Sequence, residues 1–326
     1  MTDKAPPPIS IVMPSAGRPA VLAETLAALR ADAPAGSELI VAVEGPGDDS
    51  ASAATEAGAT VVRVPESAGP GAARNAAIAR AGSPLCLLCD DDVRPAPGMV
   101  GAHIAFHAAE TDPMVALMGL VAPEPPLDRS EFQRWLHTDG IQFAYGQLTP
   151  GEIDGRCLWV ANASFKRSGI DAIGGFDEAI GFGSEDADLG TRFVAAGGRI
   201  VYRDDVVGLH FKPTTLGGTL ARMRRVGAAS RDHPERLARE TRPRPTGPAQ
   251  RAAIGALSAV QAAGLLRGPL RRAAWRVLCK QAYREAYWRE STEDGVAVGS
   301  RLAGRLGEQI ARTDPSAGPP SARAES

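Results

Sequence analysis

The sequence predicts an α/β fold: a mostly parallel sheet buried under helices, followed by a helical C-terminal annex. Three observations carry that prediction. Strand-like segments that are apolar on both faces alternate with amphipathic helices from residue 9 to about residue 90, which is the pattern of parallel pairing with both sheet faces covered. One of these strands runs into three consecutive carboxylates, "LLCDDDV" (87–93), at the carboxyl end where such sheets bind ligands. From about residue 216 the alternation stops and arginine-rich helices take over.

Taken in order, "ISIVMPS" (9–15) is a short buried strand and "RPAVLAETLAALRA" (18–31) an amphipathic helix with apolar positions at helical spacing. "SELIVAVE" (37–44) is strand, "DDSASAATEAG" helix, "TVVRV" strand, and "GPGAARNAAIARAG" opens a helix before the strand "PLCLLCD". Asp48 and Asp49 fall at a helix start. A helix is expected from about 97 to 111 and a strand at "MVALMGLV" (114–121). Residues 122–156 carry few strand signals and many turn residues, the profile of a binding loop. "CLWVANASFKRSG" (157–169) returns to strand, a helix begins near Glu185, and "RIVYRDDVVGLHF" (199–211) is extended. Helices follow at about 216–240 and, after the proline-rich joint 241–248, up to about 290. This divides the chain into a disordered start (1–7), a catalytic domain (8–215), the annex (216–290) and a disordered polar tail (291–326).

With 326 residues, 44% hydrophobic and 23% charged, the chain has room for one large domain or two smaller ones. A net charge of -2 argues against a nucleic-acid partner, whose phosphates call for a basic excess. The opening "MTDKAPPPIS" has no apolar leader, so a cytoplasmic location is expected. The longest apolar run, 252–266, is too short to span a bilayer, which leaves peripheral membrane contact. Cys86 and Cys89 form a C-x-x-C, but positions i and i+3 of a strand point to opposite faces, so buried small apolar roles are expected rather than zinc or redox chemistry. His103 and His107 lie four apart on a helix without the glutamate of an H-E-x-x-H site and are read as helix surface.

The pieces "VMPSAGRPAVLAETLAAL", "GPGAARNAAIARAGSPLCLLCDDDV", "GGFDEAIGFGSEDADLGTRFVAAGGRIVY" and "VVGLHF", in this order and spacing over roughly residues 8–212, resemble the inverting family 2 glycosyltransferases of the GT-A fold. The resemblance implies a nucleotide-diphosphate sugar donor, a UDP-sugar first among them, and a divalent cation, Mn2+ or Mg2+. The chemistry is consistent, because a hard cation bridging phosphates needs hard oxygen ligands. By resemblance Asp90 and Asp91 serve the donor and Asp92 the metal, with the choice between Asp91 and Asp92 open. Alternation along an extended segment would put Asp90 and Asp92 on one face and Asp91 on the other. His210 is implied at the metal or diphosphate, Asp186 as the base that deprotonates the acceptor hydroxyl, and Glu185 as its neighbour that positions acceptor or helix. An acidic helix start is the structural alternative for both.

Pro14, Ser15 and Arg18 are expected around the donor base. Glu44 stands where the family carries an aspartate, one methylene longer, which leaves the nucleotide open. Arg74 is assigned to the donor phosphates or base, with a surface position on its helix as the alternative. Trp159 and Asn162 are assigned to the acceptor as stacking face and amide; carbohydrate, lipid-linked and small-molecule acceptors all remain in play. Two rival classes are weighed. A dinucleotide-dependent oxidoreductase fails because "GPGAAR" follows the third strand and has Arg74 where a small residue is required. A non-catalytic sugar-nucleotide or glycan-binding module of the same fold would lack turnover while keeping the ligand set. The annex, with its arginines beside apolar stripes, is suited to packing, dimer contact or an anionic membrane.

Overall fold

The computed structural model describes residues 8–45, 47–66, 68–139, 143–232 and 243–288. Expectations for the ends of the chain (1–7, 289–326) and for 233–242 lie outside those residues. The elements run β1 (Ser10–Ser15), α1 (Pro19–Asp32), β2 (Glu38–Glu44), α2 (Ser50–Glu56), β3 (Thr60–Val64), α3 (Gly69–Ala79), β4 (Leu85–Cys89), β5 (Val93–Pro95), α4 (Met99–Ala109) and β6 (Val115–Pro123). They continue with α5 (Glu131–Thr138), β7 (Gly151–Ile153), β8 (Asn162–Lys166), α6 (Arg167–Ala172), α7 (Glu185–Ala195), β9 (Arg199–His210), α8 (Leu216–Asp232), α9 (Pro248–Ala262) and α10 (Gly268–Trp288).

The nine strands of the described residues form one sheet in the order β3-β2-β1-β4-β8-β6-β9-β5, with β7 added along β9. The first four are parallel, which follows from apolar residues on both faces and a helix in each crossover. Beyond β4 the sheet is mixed: β8 is antiparallel to β4 and β6, β6 is parallel to β9, and β5 and β7 are antiparallel to β9. The expectation of a mostly parallel sheet therefore holds for the β3-β2-β1-β4 half and is corrected for the other. A strand such as β8, buried on both faces, reads the same whichever way it runs. The strand expected over 157–169 is confined to Asn162–Lys166, because a 3-10 turn at Gly155–Cys157 precedes it.

Every residue of β4 is buried, and α1 turns Leu22, Thr25, Leu26 and Leu29 inward. Cys86 and Cys89 are both buried and unbridged, packed as small apolar side chains. His103 and His107 correct the sequence reading, since both are buried under α4 rather than on its surface. His103 Nδ1 lies 2.7 Å from Ser164 Oγ and its Nε2 2.8 Å from Asn162 Oδ1, while His107 Nε2 lies 2.9 Å from Ser164 Oγ. Two histidines on the inward stripe of a helix are solvated by polar side chains of the strand beneath. Burial lowers both to about 4, so they remain neutral at physiological pH.

The described chain divides into two compact units. The first holds the sheet, up to Arg129 and again from Leu136 to Lys212. The second takes Ser130–Trp135 and everything from Pro213, so its helices are α8, α9, α10 and the start of α5. Its aromatic centre explains that assignment: Phe132 and Trp135 pack on Trp275 with ring centroids 5.0 and 5.4 Å apart. Glu131 accepts from Arg271 and, at 3.0 Å, from Arg272. Sequence reading gave Ser130–Trp135 to the catalytic domain, because a short helix carries no signal of which distant helix its aromatics meet.

Candidate active site

The site is assembled at the carboxyl ends of β1 and β4 and the amino ends of α3 and α7. After β1 the chain turns at Gly17, whose φ of 63° lies in the left-handed region that favours glycine. Pro19 then opens α1, leaving Arg18 at its cap position with the guanidinium free to reach back over the sheet end. That guanidinium pairs with Asp91 and, at 2.7 Å, with Asp92. Ser15 Oγ donates to Asp91 Oδ2 at 2.7 Å, and Thr25 Oγ1 donates to the Asp91 carbonyl at 2.6 Å.

The three aspartates do not alternate as a strand would. β4 ends at Cys89, and Asp90–Val93 is a turn closed by the Val93 amide on the Asp90 carbonyl at 3.2 Å. Asp91 and Asp92 thereby share Arg18, while Asp90 goes the other way to Arg74, which corrects the expected pairing of Asp90 with Asp92. Asp91 is fully buried, and burial, opposed by Arg18 and assisted by repulsion from Asp92, pushes its carboxyl up to about 6. Asp92 is also buried, yet it behaves oppositely. Burial works against its charge, but His210 and then Arg18 outweigh that and hold it well below the usual carboxylate range. His210 ends β9 with Nε2 3.6 Å from Asp92 Oδ2, and its Nδ1 is buried with no hydrogen-bond partner.

Asp92 and His210 fit a divalent cation as a hard oxygen and an imidazole nitrogen on one side of a site, a pair better suited to Mn2+ than to Mg2+. Among the described residues no group of three or more such side chains converges, so donor phosphates and water would have to complete the shell. Arg18 supplies part of the positive charge that Asp91 and Asp92 need without a cation.

The second carboxylate group is joined to the first through Arg74. The surface alternative for this residue is overturned: it is buried on α3, with NH2 2.8 Å from Asp90 Oδ1 and NH1 3.4 Å from Glu185 Oε1 and 3.7 Å from Asp186 Oδ1. Phe176 covers the guanidinium at 5.7 Å. Close approach of α3 to the loop before α7 depends on Gly69, whose φ is 83° and whose added Cβ would sit 2.4 Å from the Gly181 carbonyl oxygen. "GPG" therefore serves packing here, which removes what remained of the dinucleotide reading.

Glu185 and Asp186 open α7, where unpaired backbone amides favour negative charge. Glu185 Oε2 accepts from the Gly183 amide at 2.5 Å and Asp186 Oδ2 from the Val160 amide at 3.2 Å. Asp186 Oδ1 is buried and makes no hydrogen bond. Burial, opposed by Arg74 and reinforced by Glu185 and Asp90, raises the Asp186 carboxyl well above the usual range.

Other assigned residues lie at different distances from this chemistry. Trp159, next to the residue that donates to Asp186, is half-buried and packs on Tyr145 with centroids 4.6 Å apart. Pro14 and Glu44 are half-buried at the ends of β1 and β2. Asn162 is corrected: it is fully buried, donating to the Leu120 and Val206 carbonyls at 3.0 Å each while its oxygen meets His103, so it holds the sheet and leaves no amide for an acceptor.

Sequence reasoning missed one feature and left a second, His137 in the expected binding loop, without its partners. Asp48 does more than start a helix: its carboxylate accepts from the Gly17 amide at 2.7 Å and the Ser50 amide at 2.8 Å, tying the loops after β1 and β2 together. His137 lies 5.6 Å from Phe143 and 5.3 Å from His210, ring to ring, a clustering that separation in sequence hides.

The model of glycosyl transferase family 2 matches residues 10–168. That match takes in just under half of the chain and makes this segment similar to family 2. Among its relatives, a pre-mycofactocin glycosyltransferase of Mycobacterium tuberculosis is 30% identical over 187 residues, 55% of this chain and 38% of that protein. The succinoglycan biosynthesis protein ExoU of Rhizobium meliloti is 30% identical over 218 residues, 61% of this chain and 60% of that one. The chain thus spans less than two thirds of either relative. A mannosyltransferase from Pyrobaculum calidifontis, solved with GDP-Man and Mn2+, shares the fold at a TM-score of 0.59 and 21% identity, over 88% of this chain and 90% of that one. S. aureus TarS shares it at 0.52 and 16%, over 89% and 91%. The fold is therefore that of the GT-A glycosyltransferases, with a helical C-terminal region.

Proposed function

We propose that this chain is a family 2 glycosyltransferase, moving a sugar from a nucleotide-diphosphate donor to an acceptor hydroxyl with inversion, assisted by a divalent cation and with Asp186 as base. The observation that carries the reading is the linked pair of carboxylate groups: Asp90 and Asp92 at a sheet end, Asp186 across Arg74 from Asp90, with a buried oxygen that has no hydrogen bond to give up. A base must be within reach of the proton it takes and be proton-avid enough to hold it, and a carboxyl raised by burial meets the second demand. Glu185, bound to Arg74 and to the Gly183 amide, orients the start of α7.

Asp92 and His210 would hold the cation, which would supply charge for the departing nucleoside diphosphate. Asp90, Arg18 and Glu44 would face the donor, and Asp91, buried beneath with Ser15 donating to it, would fix Arg18. Trp159 and Tyr145 offer an aromatic face for the acceptor. Solved neighbours were crystallised with GDP-Man and Mn2+, and with UDP or UDP-GlcNAc, so a UDP- or GDP-sugar is the first class to try. No helix among the described residues is long and apolar enough to cross a membrane. For an acceptor presented on a lipid, contact would be peripheral and would fall to the second unit.

A thermal-shift screen of UDP- and GDP-sugars with and without Mn2+ tests the donor reading. A ligand that binds only the folded state raises the melting temperature, by about 2.7 kcal/mol of stability at a hundredfold excess over Kd. At least one nucleotide sugar is expected to do so, more strongly with Mn2+. Equal, null shifts across the whole screen would remove the donor assignment.

A further inference from the structure

The second unit carries an apolar corner in a basic field that the transfer chemistry does not use. Between residues 243 and 288 there are eight arginines and lysines and one acid, Glu285, although the whole chain is at -2. Within that stretch α9 buries none of its residues. The turn joining α9 to α10 is bracketed by Gly264 and Gly268, with φ of 68° and 48°. It lifts Leu265 and Leu270 into solvent, each 71% exposed.

The exposure continues along both helices. Val260 precedes the corner on α9, and Val277, seven residues and two turns after Leu270, lies on the same face of α10. That stripe is opposite in role to Ala274, Trp275, Leu278 and Cys279, which are buried. Arg267 sits between the two leucines with its guanidinium donating to the Gly264 and Leu266 carbonyls, so a positive charge is fixed at the corner itself.

We infer that the α9–α10 corner docks on an anionic lipid surface, Leu265 and Leu270 entering the headgroup boundary while Arg267 and the neighbouring basic residues meet the lipid charge. Glu131 pairs with Arg271 and Arg272, and Glu285 is the one acid within residues 243–288, so the stretch keeps a positive excess around its exposed leucines, which is what an interfacial element needs. Long basic side chains lie along apolar surface and keep their charge at the headgroups. A second copy is the weaker occupant, because an isologous contact would bring the same basic set against itself. The inference rests on this surface and stands apart from the transferase reading.

Co-sedimentation of the full chain with phosphatidylcholine vesicles, with and without about 30 mol% phosphatidylserine, tests it. Binding is expected only to the anionic vesicles and should fall from about 0.05 M to about 0.5 M NaCl as charges are screened. Leu265→Ser/Leu270→Ser, changed at two exposed positions and checked for an unaltered melting temperature and donor-induced shift, should partition at least about tenfold less. Unchanged partitioning of this variant, equal binding to neutral vesicles, or no binding at either salt would overturn the inference. So would a concentration-dependent dimer that the double variant abolishes, since the corner would then belong to a second copy. Loss of the donor-induced shift in wild-type protein would count against the transferase reading alone.

Discussion

Asp186→Asn is expected to lower transfer by about two to four orders of magnitude, the usual worth of a positioned base, while leaving donor and cation binding intact. Asparagine keeps an oxygen for the Val160 amide, so the local fold has little reason to change. It cannot take a proton from an acceptor hydroxyl. Donor binding should survive because the pair closest to His210 is Asp92, and Asp90 retains Arg74.

The pH dependence has a definite sign. Asp186 works ionised and its carboxyl is raised by burial, so transfer by the wild type should rise with pH along a limb above the ordinary aspartate value of about 3.9, and the limb should vanish in Asp186→Asn. Stability moves the other way. A raised folded-state pKa contributes stability that is present below the unfolded value and lost as pH rises through the folded one. The melting temperature of Asp186→Asn relative to wild type should therefore improve with rising pH. A variant that loses donor-induced stabilisation instead would mean that Asp186 serves the donor and that another group is the base.

Asp92→Ala should remove nearly all cation-dependent turnover and also weaken the fold. Its carboxylate is buried between Arg18 and His210, and deletion leaves Arg18 with Asp91 alone. Breaking a buried pair costs about 3–5 kcal/mol, but Arg18 is one third exposed and keeps one partner, so about 1–3 kcal/mol is expected, several degrees in melting temperature. The linkage is that of a depressed carboxylate: stability present above the unfolded value near 3.9 and lost as pH falls through the folded value. The penalty of Asp92→Ala should thus shrink in acid. Wild-type turnover by Asp92→Ala under strict chelation would exclude the cation role.

Much of this arrangement was legible in the residues. The parallel half of the sheet follows from doubly apolar strands, and the carboxylates after "LLC" and before "ADLG" mark the sheet end and helix start where the structure has them. What sequence could not supply was direction and depth. Strand β8 is apolar enough to be buried but does not announce that it runs antiparallel. A turn beginning at Asp90 sends three adjacent carboxylates to different partners, which a strand-alternation rule misses. Arg74, Asn162, His103 and His107 are polar residues in helices or strands whose partners lie far along the chain, so each reads as surface or as site until the contacts are seen. Ser130–Trp135 joins the second unit through contacts to residues about 140 positions away.

The central claim is a single displacement, with a carboxylate base on the face opposite the departing nucleotide. It is tested most directly by the anomeric configuration of the sugar set free from an α-linked nucleotide sugar when water replaces the acceptor, read by proton NMR before mutarotation. The account predicts that the first sugar to appear is the β anomer, that chelation slows its release, and that Asp186→Asn nearly stops it. An α anomer formed first would contradict it, because a single displacement from the opposite face must invert the anomeric carbon.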